Sequence, residues 1–352
     1  MTQADPVSTA ASSPSSSPTP SSSVPPSPLR IAVLEDYQGV ARSMADWPSL
    51  APRAEATFFH DVVSDVDALV ERLAPFDILV LMRERTQVGA DLIARLPRLA
   101  LITTMGTRNA AIDLGAARAR GIVVSGTEKG PHAELATPTL AWGLVLALTR
   151  GIVGQATSVR QGGWQREIGV DIEGKTLGLL GLGRIGRQVA RFGQAFGMTT
   201  IAWSQNLTDE AAASAGVRRV DKDTLFAASD VLSVHLVLSG RSRGLVDDAA
   251  LRRMKPTAYL VNTSRGPIVD EAALLSALTE RRIAGAALDV FDAEPLPQGH
   301  PFRTLDNVLA TPHIGYVTEN GYRSGYGQMV EDIRAFLDGR PIRVLGDDAT
   351  WR

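Results

Sequence analysis

LGLLGLGRIGRQVARF, residues 177–192, passes from an apolar run through a glycine-spaced turn into a segment with helical periodicity. Leu177–Leu180 reads as a short buried strand, and Arg187–Phe196 as the body of a helix. Between them lies Gly181-Leu182-Gly183-Arg184-Ile185-Gly186, a G-x-G-x-x-G in the strand–turn–helix setting that gives the pattern its meaning. Gly181 permits the tight turn, Gly183 leaves room for a pyrophosphate, and Gly186 lets helix and strand pack closely. The first amides of a helix lack internal partners, and the helix dipole adds partial positive charge there, so phosphates are stabilised at that end. Arg184 and Ile185 stand at the same helix start, Arg184 with a charge to add. A glycine-rich turn without a ligand is the plain alternative; the flanking elements favour a dinucleotide.

Strands and helices alternate on both sides of this unit. Upstream, Leu29–Leu34, Asp77–Met82, Leu99–Thr104 and Gly121–Val124 read as strands, separated by helical segments at Asp67–Leu73, Gly89–Arg95 and Ala110–Arg120. The rhythm restarts at Lys175 and continues to about Thr311. Such alternation predicts an α/β protein with mostly parallel sheets, in two units. A last helix, about Gly325–Leu337, is expected to return to the first unit. The apolar segment Leu135–Leu148 predicts a helix buried on much of its surface, as core, as subunit interface or as both.

Composition sets the outer limits. The 352 residues are 44% hydrophobic with a formal net charge of −2, which suits a soluble protein with a sizeable core and no general attraction for nucleic acid. There are no cysteines, so disulfides, thiolate metal sites and cysteine nucleophiles are excluded. Residues 1–28 stand apart: the Ser/Pro-rich run Ser12–Pro28 builds no apolar core and is expected to be disordered. It has neither the basic start and apolar stretch of a secretory signal nor the arginines of a mitochondrial presequence. No run of about 18 apolar residues follows, so no membrane span is expected and a cytoplasmic location is the default. His60, His132, His235, His300 and His313 are scattered without a ligand cluster, so no metal is expected.

The strand Thr199–Trp203 ends in Ser204-Gln205-Asn206, where an acidic residue would accept the adenosine ribose hydroxyls of NAD. Lack of the carboxylate removes repulsion of a 2′-phosphate, but no arginine immediately follows to bind one. NAD and NADP both stay open, with NAD slightly favoured. Three further strand ends carry polar groups: Thr257–Val261 leads into Asn262-Thr263-Ser264-Arg265-Gly266, Ile283–Leu288 into Asp289 and Glu294, and Val308–Ala310 into Thr311-Pro312-His313. Each has a bland reading, as surface arginine, solvated loop acid or satisfied histidine. In open α/β sheets, however, ligands gather beyond the carboxyl ends of strands, where these three groups would converge.

With these segments the chain resembles the D-isomer-specific 2-hydroxyacid dehydrogenases over nearly everything after the tail. The signatures are Gly181–Gly186, Val234-His235-Leu236-Val237-Leu238, Asn262–Gly266 with Val269-Asp270, Leu288–Phe291 with Glu294-Pro295, and Thr311-Pro312-His313-Ile314-Gly315. The resemblance implies two Rossmann-like domains, a dinucleotide-binding domain (128–315) inserted in a flavodoxin-like substrate domain (29–127 and 316–346). It implies Arg265, Glu294 and His313 as catalytic residues, Asp289 on the nicotinamide side, and cofactor contacts at His235 and Thr263 beside Gly181, Gly183, Arg184, Ile185 and Gly186; Ser204 and Asn206, at the end of the strand Thr199–Trp203, are placed to serve either cofactor by hydrogen bonds. Arg160, Gly162 and Trp164 match its R-x-G-x-W pattern, and the segment Leu135–Leu148 its interface helix, which implies a homodimer. Met82-Arg83-Glu84-Arg85-Thr86 and Thr104-Met105-Gly106-Thr107-Arg108-Asn109 resemble the two substrate loops, with Arg83, Met105, Gly106 and Arg265 facing a 2-oxoacid. The second loop departs from the usual small-residue form by carrying Arg108. If Arg85 or Arg108 turned inward, a substrate with a second anionic group would fit. A small 2-oxoacid such as glyoxylate or hydroxypyruvate is the expected substrate; phosphoglycerate oxidation and a dinucleotide-bound interaction scaffold are the alternatives.

Overall fold

A computed structural model describes Met1, residues 27–128, Gly130 and residues 133–346 of the chain. The Ser/Pro-rich run as far as Pro26, and His132, lie outside the described residues. Among the described residues, twelve strands form two sheets. The first sheet holds β1 (Leu29–Val33), β2 (Ala54–Phe58), β3 (Ile78–Leu81), β4 (Leu101–Thr104) and β5 (Val123–Gly126), in the order β2-β1-β3-β4-β5. The second holds β6 (Thr176–Leu180), β7 (Thr199–Trp203), β8 (Arg218–Arg219), β9 (Val231–Val234), β10 (Tyr259–Asn262), β11 (Gly285–Leu288) and β12 (Val308–Ala310), in the order β12-β11-β10-β9-β6-β7-β8. Every pairing is parallel. The first order is the flavodoxin-like one; the second is the dinucleotide-binding order extended by one strand.

Both faces of the first sheet are covered, as a parallel sheet requires. Ile31, Val33, Ile78 and Val80 face Tyr322, Tyr326, Met329 and Ile333, while Ala32, Leu79, Leu81 and Ile102 face Leu69, Leu73, Leu92 and Ile93. The two-residue period of the strands divides them between these layers. The four tyrosine, methionine and isoleucine contacts come from the C-terminal helix Glu319–Leu337, which packs on β4. This helix begins at Glu319, ahead of the expected Gly325, because Thr318 accepts a hydrogen bond from Gly321 N–H and caps it there. Beyond it, Val344 bridges to Ser125, so the chain closes back onto β5.

The helix Ala136–Thr149 buries Pro138, Ala141, Trp142, Leu144 and Val145 against β10, β11 and the helix Arg184–Ala195. Most of its apolar surface therefore belongs to the core of its own chain. Exposed apolar groups cluster just after it, on the helix Ile152–Arg160 and the segment beyond: Ile152, Val153, Val159, Trp164 (74% exposed) and Ile168 (98%). Arg160 and Gly162 lie there too, at and just past the end of that helix, so the R-x-G-x-W segment is an outer surface. Among the described residues no single helix is long and apolar enough to cross a membrane.

One buried ion pair ties the C-terminal segment down. Asp332, 0% exposed, accepts from Thr103 Oγ1 at 3.0 Å and Arg343 Nε at 2.8 Å. Burial pushes the Asp332 carboxyl up to about 6 against these donors. Arg343→Met leaves the carboxylate buried without its cation and is expected to cost about 3 kcal/mol in urea unfolding at pH 8. A carboxyl whose folded value is raised gives stability at low pH that is lost as pH rises through that value. The deficit at pH 5, where the side chain takes up a proton, should accordingly be smaller than at pH 8.

Candidate active site

Each sheet has one place where strand order reverses, between β1 and β3 in the first and between β6 and β9 in the second. Ligand crevices open at the carboxyl ends of such strand pairs. Here both open onto one cavity of about 1020 Å³. From the first unit it is lined by Arg83, Glu84, Met105, Gly106 and Arg108; from the second by Arg184, Ile185, His235, Thr263, Arg265, Asp289 and His313.

The glycine turn has the shape that a dinucleotide needs. Gly181 adopts φ +106°, and a Cβ there would stand 2.9 Å from the His235 carbonyl. A Cβ on Gly186 would stand 2.2 Å from the Gly181 oxygen, so strand and helix touch through these two residues. Gly183 has open space within 4 Å of its Cβ position, and no side chain caps the first turn of the helix Arg184–Ala195. That helix begins three residues before the expected Arg187, which places Arg184 and Ile185 in its unpartnered first turn. Thr263 adds a buried hydroxyl without a hydrogen-bond partner. An empty space before bare amides and an orphaned hydroxyl in the same cleft fit a dinucleotide. His235 is held neutral, with burial lowering it to about 4 and Ser233 Oγ 2.9 Å from its Nε2. Ser204 lies at the exit of β7, outside the cavity lining, where its carbonyl accepts from Leu207 N–H at 3.1 Å.

Arg265 sits in the turn between β10 and a short 3-10 helix, Gly266–Ile268. Asn262 fixes that turn: its Oδ1 accepts from Ser264 N–H and its Nδ2 donates to the Arg265 carbonyl, both at 3.0 Å. The guanidinium donates through Nη1 to the Ser264 carbonyl (2.7 Å) and through Nη2 to Glu84 (3.1 Å). Asp289, fully buried, accepts from the Thr311 hydroxyl (2.7 Å), Ile314 N–H (2.8 Å) and Gly315 N–H (2.9 Å). Burial raises the Asp289 carboxyl, and these three donors and His313 oppose the rise. His313, at φ +52°, meets Glu294 through Nδ1 at 2.6 Å, which leaves Nε2 for a substrate. Glu294 lies behind the histidine rather than in the cavity lining and also accepts from Phe291 N–H at 2.9 Å.

The two undecided arginines separate. Arg108 lines the cavity. Arg85 turns away from it, donating to the Glu35 carbonyl at 2.8 Å and stacking over Tyr37 and Tyr316. Sequence reasoning did not single out Glu84 or Tyr316. Glu84 reaches Arg265 across the cleft, while Tyr316 lies under Arg83 and edge-on to His313, at 5.4 and 5.5 Å. The acidic residue between two arginines was the available signal for Glu84; its partner was not readable.

A family model described as "D-isomer specific 2-hydroxyacid dehydrogenase, NAD binding domain" matches residues 142–315. The glyoxylate reductase of Aeropyrum pernix is 39% identical over 263 residues, 72% of this chain and 78% of that protein. The D-3-phosphoglycerate dehydrogenase of Methanocaldococcus jannaschii is 37% identical over 78% of this chain; the match spans only 52%, about half, of that protein's length. Among solved structures, a phosphoglycerate oxidoreductase from Vibrio cholerae has a TM-score of 0.84 at 37% identity, covering 88% of this chain and 99% of that one. The fold and cleft are those of a two-domain, dinucleotide-binding protein. The chain belongs to the D-isomer-specific 2-hydroxyacid dehydrogenase family, and its cofactor is NAD or NADP.

The glycines give a paired test. Gly183→Val should leave thermal stability within about 0.5 kcal/mol, since its side chain meets open space, yet weaken NADH binding more than ~10-fold in a fluorescence titration. Gly186→Val should destabilise the fold itself, because its Cβ has no room beside Gly181.

Proposed function

We propose that the protein transfers a hydride reversibly between NAD(H) or NADP(H) and a 2-oxoacid/D-2-hydroxyacid pair, acting on a small acid such as glyoxylate or hydroxypyruvate. The observation that carries this reading is the His313–Glu294 contact of 2.6 Å at the same cleft as Arg265 and the glycine turn. Held at the glycine turn, a dinucleotide would supply hydride to, or take it from, carbon 2 of the substrate. In reduction, Arg265 holds the substrate carboxylate and, with protonated His313, stabilises the negative charge growing on the carbonyl oxygen. His313 Nε2 delivers the proton to that oxygen; in oxidation it removes the proton. Glu294, on Nδ1, fixes the orientation of the ring. Asp289 holds the loop that carries His313. Arg83, Met105 and Gly106 complete the acyl side.

The same reading divides the chain into a substrate unit, 29–127 with 316–346, and a dinucleotide unit, 128–315. It takes the cytoplasm as the working compartment. The cofactor contacts are assigned to Gly181, Gly183, Arg184, Ile185, Gly186, His235, Thr263 and Asp289, with Ser204 at the adenosine end. A homodimer is proposed through the exposed Ile152, Val153, Val159, Trp164 and Ile168, and Trp164→Glu should halve the mass seen in sedimentation. A second reading, phosphoglycerate oxidation, is favoured by Arg83 and Arg108 on the cavity wall.

The deciding experiment sets a panel of 2-oxoacids against NADH and NADPH, followed at the nicotinamide absorbance. Turnover is expected with glyoxylate or hydroxypyruvate; cofactor binding with no turnover across the panel would point to an interaction scaffold. His313→Ala should lower kcat by ~10²–10⁴ while dinucleotide binding persists. Arg265→Lys should lose both affinity and rate, because an ammonium lacks the planar fork. Glu294→Gln should lower kcat while dinucleotide binding persists, since the His313 ring loses the carboxylate that orients it. An unchanged kcat excludes that coupling.

A further inference from the structure

Glu84 is the group that the proposed chemistry does not use. It follows Arg83, itself at φ +55° beyond β3, and its carboxylate lies between two guanidinium groups. Oε1 accepts from Arg265 Nη2 at 3.1 Å; Oε2 stands 3.6 Å from Arg83 Nε and is buried without a hydrogen-bond partner. Burial works against the charge, but Arg83 and Arg265 hold Glu84 below the ordinary carboxylate range, so it is ionised at neutral pH.

This arrangement alters what the acyl side of the cleft can accept. Arg83 is already engaged, by Glu84 and by the Tyr316 ring at 5.4 Å, and Arg108 has interactions of its own. Met105, Tyr316, Gly321, Ser324 and Gly325 supply apolar or small wall there. A substrate carboxylate on Arg265 would lie beside Glu84, with one guanidinium shared between two acids. A second anionic group on the substrate would then meet the fixed negative charge of Glu84, whereas a neutral hydroxyl would meet no such repulsion.

We propose that Glu84 is a specificity determinant: a built-in carboxylate that admits 2-oxoacids with neutral side groups and rejects those carrying a second negative charge, phosphate esters included. The proposal rests on the dehydrogenase reading and narrows it to unphosphorylated substrates.

Reduction of glyoxylate, hydroxypyruvate and 3-phosphohydroxypyruvate by wild type, Glu84→Gln and Glu84→Asp tests it. Wild type should prefer hydroxypyruvate over its phosphate ester by ~100-fold or more in kcat/KM, the size expected for like charges within a few ångströms at a protein surface. Glu84→Gln should narrow that ratio by ~10-fold or more, mainly through KM of the ester, whereas Glu84→Asp keeps it. Binding is read separately, by quenching of enzyme-bound NADH fluorescence with D-lactate against D-malate, which differ by one carboxylate. The same narrowing in Glu84→Gln supports the filter. An unchanged ratio overturns it, and so does an equal fall in KM for all three acids, which would make Glu84 a simple competitor for Arg265. If wild type reduced none of the acids, the dehydrogenase reading would fail, while the two hydroxyacid titrations would still decide the role of Glu84.

Discussion

Where His313 stands depends on a carboxylate that solvent does not reach. Asp289 directly follows β11 and accepts hydrogen bonds from Thr311, Ile314 and Gly315, residues that bracket the histidine on both sides. A buried charge is costly unless donors compensate it, and three donors from a single loop offset that cost only while the loop keeps its shape. The shape includes a left-handed backbone at His313, a conformation that a non-glycine residue holds only where its neighbours over-determine it. Gly315 belongs to the same constraint, since its Cβ position lies 3.2 Å from Asp289 Oδ2. Pairing of β11 with β12 thus fixes Asp289, Asp289 fixes the loop, and the loop brings His313 to Glu294.

Topology explains why such local devices meet. All strands within each sheet run parallel, so every exit of one sheet lies on one side. The order reversals place the exits of β1 and β3 opposite those of β6 and β9, and the contact between Glu84 and Arg265 crosses from one to the other. The cleft is therefore a seam between two similar constructions, each supplying turn residues rather than residues from its core.

What could be read from the sequence follows the range of the interactions involved. The glycine turn and the arginine after β10 are local, and both lie at the cleft. The edge strand β2 escaped notice because Ala-Glu-Ala-Thr-Phe is half exposed and weakly apolar. The helix Ile152–Arg160 was hidden by Gly154, Gln155 and Ser158 within a short segment. Glu84 was illegible for a stronger reason: its partner lies 181 residues away, and no local pattern carries that distance. Arg85 and Arg108 were equally ambiguous as sequence. Contacts with Glu35, Tyr37 and Tyr316, all distant in sequence, hold Arg85 out of the cavity, whereas Arg108 lines it.

The charges of the cleft show why geometry, more than net attraction, must select its ligand. Among the described residues, Arg83, Arg108, Arg184 and Arg265 line it together with Glu84, Glu128, Glu134 and Asp289, so arginines and carboxylates are equal in number there. A balanced wall gives little long-range pull on an anion. Capture then falls to the groups still able to donate. A guanidinium carries five N–H donors; at Arg265 one is directed to the Ser264 carbonyl and one to Glu84, leaving three for a planar carboxylate. Those two internal contacts also hold the group still, so fewer degrees of freedom are lost when a substrate arrives. Orientation at the reacting carbon is thereby prepared before binding, by a carboxylate and a backbone carbonyl that never react.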